Sequence, residues 1–339
     1  MRLLKLVPDN TNIDFMRWRN FALLLSIVVT VAAIALVFTR GLNFGVDFVG
    51  GQSIRVAFVQ APPIEEVRER VNALGVGEAS IQESRQNAVQ IAAAGGKGAA
   101  NETEYLIRIA LPPGDEGAAA AATQRVRATI ASTYPGASIR SVDTVSGKVS
   151  EELLRSGALA IGLAMLGIAI FIWIRFEWQF GVGALVTLFH DVWMTLGFFS
   201  LTQLEFNLNV VAAILTIVGY SLNDTVVIYD RIRENLRKYR KMEIVPLLNL
   251  SLNETLSRTM VTSISILLAL GALLLLGPEV IFGLTIAIFI GIFVGTYSSI
   301  YISSPILVWL RVTTASFLPR DPVSRAGRGP RNERDGAQV

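Results

Sequence analysis

Six apolar runs constrain this chain more than any other feature: Phe21 to Phe38, Leu153 to Ile174, Phe180 to Leu201, Leu208 to Ile228, Met260 to Leu276 and Val280 to Leu310. About 20 apolar residues let an α-helix cross the hydrocarbon core of a bilayer. Within lipid every backbone N–H and C=O must be bonded inside its own segment, so such runs fold as helices. The rest of the chain agrees, with 52% of residues hydrophobic and 17% charged: too apolar for an ordinary soluble domain, too interrupted by charge to be buried throughout. The expected class is an α-helical polytopic membrane protein with six transmembrane helices. The last run exceeds the length of one crossing and reads as a single tilted or prolonged helix, with Pro305 near its end absorbed by neighbouring helices or marking the exit.

Orientation follows from Lys and Arg close to the spans. Arg2, Lys5, Arg17 and Arg19 precede the first run, Arg231, Arg233, Arg237, Lys238, Arg240 and Lys241 follow the fourth, and Arg320, Arg325, Arg328, Arg331 and Arg334 fill the tail. The short connections near Glu205 and Pro278-Glu279 carry neither residue type. Both ends are therefore expected on the cytoplasmic side. The first run is too long for the apolar core of a cleavable signal, and Leu42-Asn43-Phe44-Gly45 after it is no small-residue cleavage site. With no cysteine in the chain, disulfides, thiol catalysis and Cys-ligated metals are excluded.

One long segment is not membrane. From Arg40 to about Glu152 the sequence is balanced in charge and rich in Ala, Gly and Pro, and this topology places it outside the cytoplasm. Strands are expected at Gln52 to Gln60, Ala79 to Glu83, Ala88 to Ala93, Glu104 to Leu111 and Ala137 to Val145. Helices are expected at Pro62 to Leu74, where Glu65 and Glu66 suit the positive end of the helix dipole, and at Gly117 to Thr133. The order approximates β-α-β-β-α-β, a ferredoxin-like split βαβ fold. The Gly-rich stretch Gly95 to Asn101 reads as a loop. The expected division is residues 1–20 as a cytoplasmic N-terminus, 21–39 as the first span, 40–152 as the outer α+β domain, 153–312 as spans two to six, and 313–339 as a basic, disordered cytoplasmic tail. The cationic loop and tail are explained by topology and anionic headgroups and imply no nucleic acid.

Charge inside the spans carries the functional signal. A carboxylate at membrane depth costs about 2.5–3.5 kcal/mol on insertion scales, so Asp224 in the fourth run marks a functional site by default. Counting back from Asp230 puts it roughly 9 Å inside the cytoplasmic end of its helix. Arg258, just before the fifth run, is expected at similar depth and is the best partner. An opposite charge holds a carboxylate ionised and desolvation favours its protonated form, so a balance of the two suits a proton-coupled switch; the plain alternative is a static salt bridge, or an Arg258 that snorkels to the headgroups. Asn223, Ser221 and Thr225 are placed to bond the acid or a neighbouring helix. In the third run the only histidine of the chain, His190, adjoins Asp191. Neighbours on a helix point about 100° apart, so a metal site is not expected, and Asp191 reads as a packing group or a secondary proton group. Gly291 and Gly295, with Gly157, Gly162 and Gly167, offer surfaces for close helix approach.

Five stretches together resemble a known family. They are Asn43 to Gly51 after the first run, Leu188 to Val192, the long stretch Gly219 to Asn235, Thr255 to Thr259, and Gly295 to Tyr301. The chain is similar from about residue 15 to 312 to the SecF family of bacterial protein-export subunits, within the resistance-nodulation-division superfamily. The resemblance implies a six-span half that pairs with SecD in the inner membrane, an outer domain in the periplasm, and use of the proton motive force to help draw preproteins from the SecY–SecE–SecG channel, with YajC and YidC as further candidate partners. Protons would be the coupling ion and no cofactor is implied. By matching motif, Asp224 and Arg258 correspond to residues implicated in proton movement, with Asn223 and Asp191 alongside, whereas Asp47, Gly50 and Gly51 fall in a motif suited to a coupling or turn role. An enzyme is not expected. A proton-driven exporter of small molecules or lipids is the alternative, disfavoured because such chains usually carry two six-span halves. An intramembrane aspartyl protease using Asp191 and Asp224 lacks its flanking signals, and a passive scaffold for SecD would tolerate loss of Asp224.

Overall fold

The computed structural model describes residues 11–76, 79–84, 103–109, 116–278 and 281–312. Asp14 opens the first span by accepting a hydrogen bond from Arg17 N at 3.1 Å, and the 3-10 turn Phe15–Trp18 leads into α1, Arg19–Arg40. Gly41, at φ +75°, ends that helix, a conformation that costs glycine nothing. A strap then carries the short helix α2, Val46–Val49, into the outer domain.

That domain is built from β1 (Gly51–Phe58), α3 (Ile64–Ala73), β2 (Ala79–Ser84), β3 (Thr103–Ile109), α4 (Glu116–Thr133) and β4 (Ser138–Val145). The sheet order is β2-β3-β1-β4 with every pairing antiparallel, the split βαβ arrangement the sequence implies. Ile54, Val56, Ile107 and Ile109 from the two central strands are buried with Val67 and Val71 of α3 and Val126 and Ile130 of α4, so one continuous apolar cluster joins the sheet to both helices. The expected strand Ala88 to Ala93, the loop Gly95 to Asn101 and the tail 313–339 lie outside the described residues.

The chain returns through α5 (Gly147–Arg175), α6 (Trp178–Thr202), α7 (Leu208–Lys238), α8 (Ile244–Leu276), α9 (Phe282–Tyr301) and α10 (Ser303–Trp309). Among the described residues six helices are long and apolar enough to cross a membrane, α9 and α10 counting as one. In the spanning stretches of α6 and α7 about half is buried, 56% and 50%, against 11% for α5 and α8; α6 and α7 therefore form the centre and α5 and α8 the rim. Three boundaries differ from the hydropathy reading. The last run is not one helix, because Ile302 breaks it and Pro305 has no N–H to offer the preceding turn. Helix α7 does not stop near Ile228 or Asp230 but runs to Lys238. Helix α8 starts at Ile244 rather than Met260, since its first four turns bury Leu247, Leu248, Leu252 and Leu256 against the protein, with Ser251 and Thr255 beside them bonded to the helix backbone, and leave Glu254 and Ser257 exposed. Hydropathy registers uniform runs and passes over such an amphipathic stretch. Pro246 sits within the first turn, where its missing N–H has no intrahelical partner to lose.

Candidate functional site

Asp224 lies on the central helix α7 and is buried, with 3% of its surface exposed. Ser263 of α8 donates to its Oδ2 at 3.5 Å, and Ser263 Oγ in turn lies 2.8 Å from Thr296 Oγ1 of α9 and 3.4 Å from the Tyr220 hydroxyl. Three helices thus meet at one acid through hydroxyl groups alone. Arg258 is exposed on α8 and forms no ion pair with Asp224 among the described residues; its charge acts on the carboxylate from a distance. Asn223 points to the outer surface, and its side chain bonds neither Asp224 nor another helix among the described residues. Thr225 reaches across to Ser299 of α9 at 3.2 Å.

The second acid is more heavily bonded than the first. Asp191, with 1% exposed, accepts from Ser221 of α7 at 2.5 Å and from Ser298 of α9 at 2.9 Å, both on Oδ2, while His190 Nδ1 lies 2.9 Å from Oδ1. The adjacent pair therefore bonds to itself rather than to a shared ligand. Among the described residues no cluster of three or more acid, His or Cys side chains could hold a metal. Gly295 lies so close that a Cβ there would stand 3.3 Å from Ser221 Cβ and 3.6 Å from Asp191 Oδ2. The Gly291–Gly295 face of α9 is thus spent inside the chain, against α7.

The strap after α1 reaches the same helix from above. Asp47 Oδ2 accepts a hydrogen bond from Leu208 N at 2.9 Å, and Asn207 Oδ1 accepts from Val210 N at 3.3 Å. Two side chains therefore cap α7, satisfying N–H groups that the first turn leaves open. Gly50 (φ +77°) and Gly51 (φ +107°) turn the chain from α2 into β1, and a Cβ on Gly50 would lie 3.0 Å from Gly147 Cα. Around the cap, Gly45 N donates to Phe206 O at 2.9 Å and Phe206 N to Asn43 O at 2.8 Å. Arg108 of β3 stands 2.9 Å from Glu205 in the α6–α7 connection, with side-chain exposures of 12% and 22%, and donates to Asn43 Oδ1 at 2.9 Å. The outer sheet is thus tied to the segment that starts α7.

Residues 125–313, more than half of the chain, match the family model described as protein export membrane protein SecD/SecF, C-terminal, and residues 35–62 match the SecD/SecF GG motif. The chain belongs to the SecD/SecF family. Protein translocase subunit SecF of Rickettsia felis is 42% identical over 308 residues, covering 90% of this chain and 94% of that one. The SecF subunit of Cereibacter sphaeroides is 40% identical over 309 residues, covering 91% and 93%. Among solved structures, SecDF from Thermus thermophilus is similar with a TM-score of 0.78 and 33% identity over 89% of this chain, and SecDF in a super-membrane-facing form with 0.64 and 32% over 92%. The chain spans about two fifths of those SecDF chains, 39% and 40%. The relatives place this chain among translocase subunits, a membrane transport class and not an enzyme class.

The GG-motif match encloses the strap with Asp47, Gly50 and Gly51, and the larger match encloses both buried acids. Sequence reasoning missed Arg108, Glu205, Ser263 and Thr296. For the hydroxyls a signal was present: Ser263 and Thr296 each interrupt an apolar span, and such residues bond across helices. Arg108 and Glu205 offered none, because each looks solvated when read alone.

Proposed function

We propose that this chain is one six-span half of a proton-driven export assembly that pairs with SecD in the inner membrane and uses the proton motive force to drive preprotein translocation and release beside the SecY–SecE–SecG channel. In this reading both termini are cytoplasmic and the outer domain lies in the periplasm. The observation that carries it is the environment of Asp224: buried at the meeting point of α7, α8 and α9, bonded through a hydroxyl, and, among the described residues, not locked by an ion pair. Burying a charge without a partner costs far more than burying a neutral acid. Any helix movement that changes water access to Asp224, or brings Arg258 closer, is therefore linked to proton uptake or release. The caps of Asp47 and Asn207 on α7, with the Arg108–Glu205 contact above them, supply a route by which such movement reaches the outer domain.

The test is gradient-dependent release of a preprotein from inverted membrane vesicles that contain SecD and either the wild type or Asp224→Asn. The gradient is expected to accelerate release with the wild type and to have no effect with the variant, which keeps shape and polarity but cannot ionise. Equal acceleration in both would remove Asp224 from the coupling path and leave the acid a packing group.

A further inference from the structure

We propose that a cleft between the ends of α5 and α7 binds the phosphodiester headgroup of an anionic lipid. The cleft, of about 410 Å³, is lined by Arg175, Asp230, Arg233, Glu234, Arg237 and Lys238, four cations against two acids. The acids do not neutralise it. Glu234 is engaged by Arg231 at 2.7 Å, and Asp230 meets Arg175 at 3.2 Å in a pair about half exposed on both sides, a kind of contact worth little to either partner in water. Arg237 and Lys238 are exposed and, among the described residues, form no ion pair.

Two of the cations, Arg175 and Arg233, are also held in place. The guanidinium groups of Arg175 and Arg233 lie over the Phe176 ring, 5.1 Å and 5.7 Å from its centre. Arg233 donates to Arg175 O at 3.2 Å and stands 3.3 Å from Glu177, while its Nε is buried and, among the described residues, has no hydrogen bond. A planar cation fixed in this way needs little further ordering to bond a phosphate oxygen. Carbonyl ends of helices attract a cation, which accounts for Arg175 in the last turn of α5 and for Arg237 and Lys238 in the last turn of α7 but not for Arg233.

The depth of the cleft selects a lipid over a dissolved anion. Trp173 and Ile174, just before Arg175, are 74% and 83% exposed, and Trp178 just after it is 55% exposed. Exposed Trp residues on either side of a span end mark the headgroup level of a bilayer. A phosphodiester bound there would keep its acyl chains along Trp173 and Ile174, an anchor that free phosphate lacks.

The full chain in nanodiscs of equal phosphatidylglycerol and phosphatidylcholine, released for native mass spectrometry, reads the lipid retained. The wild type should keep phosphatidylglycerol in preference. Arg237→Gln with Lys238→Gln, both exposed and so without effect on the packed core, should weaken retention roughly twenty-five-fold, about fivefold per cation removed. Arg240→Gln with Lys241→Gln, two residues further on and outside the cleft, should leave it unchanged. Equal losses in the two double variants would overturn the site in favour of diffuse attraction. Displacement of the lipid by inorganic phosphate would overturn the choice of a lipid ligand, and no preference for phosphatidylglycerol in the wild type would overturn both.

Discussion

Two buried acids on adjacent central helices have opposite surroundings. Asp191 accepts from Ser221 and Ser298 and faces His190, whereas among the described residues Asp224 accepts one long bond, from Ser263. Removing a donor from a buried acceptor costs about 1–3 kcal/mol, so Ser298→Ala is expected to lower the thermal stability of the detergent-solubilised protein by that amount. Ser263→Ala takes from Asp224 only a bond of 3.5 Å, and Thr296 Oγ1, which loses Ser263 as a partner, still donates to Ile292 O at 2.8 Å, so the cost should be smaller. Thermal melts followed by fluorescence check the order; equal shifts would mean that the two acids are equally dependent on their hydroxyls. Asp191 by this account ties α6 to α7 and α9, and Asp224 is the acid left with freedom to change partners.

At the scale of elements, the central helices approach closely because small residues line their contacts. A Cβ on Gly291 would fall on the Ile217 side chain, and one on Gly197 would come within 2.5 Å of Ala33 Cβ, whereas one on Gly219 meets nothing within 4 Å. Gly291→Ala should therefore force α9 away from α7 at a cost of about 1–3 kcal/mol, the usual range for overpacking. Gly219→Ala, in open space on a helix, should instead stabilise by roughly 0.5–1 kcal/mol through helix propensity. Melting temperatures moving in opposite directions would bear this out. The position of α9 also brings Ser298 to Asp191 and Thr296 to Ser263, the donor to Asp224, so Gly291→Ala should also blunt any response to a proton gradient.

The molecule as a whole is held together across its membrane and outer parts by a small polar junction. Arg108 and Glu205 meet there at 2.9 Å, Asn43 bridges Arg108 to Gln203 O, and Asp47 caps α7. The pair is mostly buried, so leaving one partner alone costs more than an exposed pair contributes. Glu205→Gln is expected to speed hydrogen exchange at the β3 amides and at Leu208 and Val210, with the other strands unaffected. Exchange unchanged at both places would mean that the sheet is carried by its helical connections and the junction is incidental. The same junction is a polar route between the outer sheet and the helix that bears Asp224.

Much of this was open to reading from the residues alone. Span number, the α+β unit between the first two spans, and the two intramembrane acids follow from run length, periodicity and charge, which are properties of neighbours along the chain and need no tertiary structure to exist. Asp47, Gly50 and Gly51 were legible as a turn, since two successive glycines permit the positive φ found there. Which helix Asp47 caps was not, because its partner Leu208 lies 161 residues away. Arg258 was legible as a cation near Asp224, but that the two form no ion pair depends on the rotation of α8, set by the amphipathic turns from Ile244 that hydropathy passes over. Where helices cross and where charge must be accounted for are written in the chain itself, because burial in lipid acts on each segment separately. Which hydroxyls reach each acid and how the outer sheet meets α7 are fixed by packing, because hydrogen bonds of about 3 Å depend on how helices distant in sequence come together.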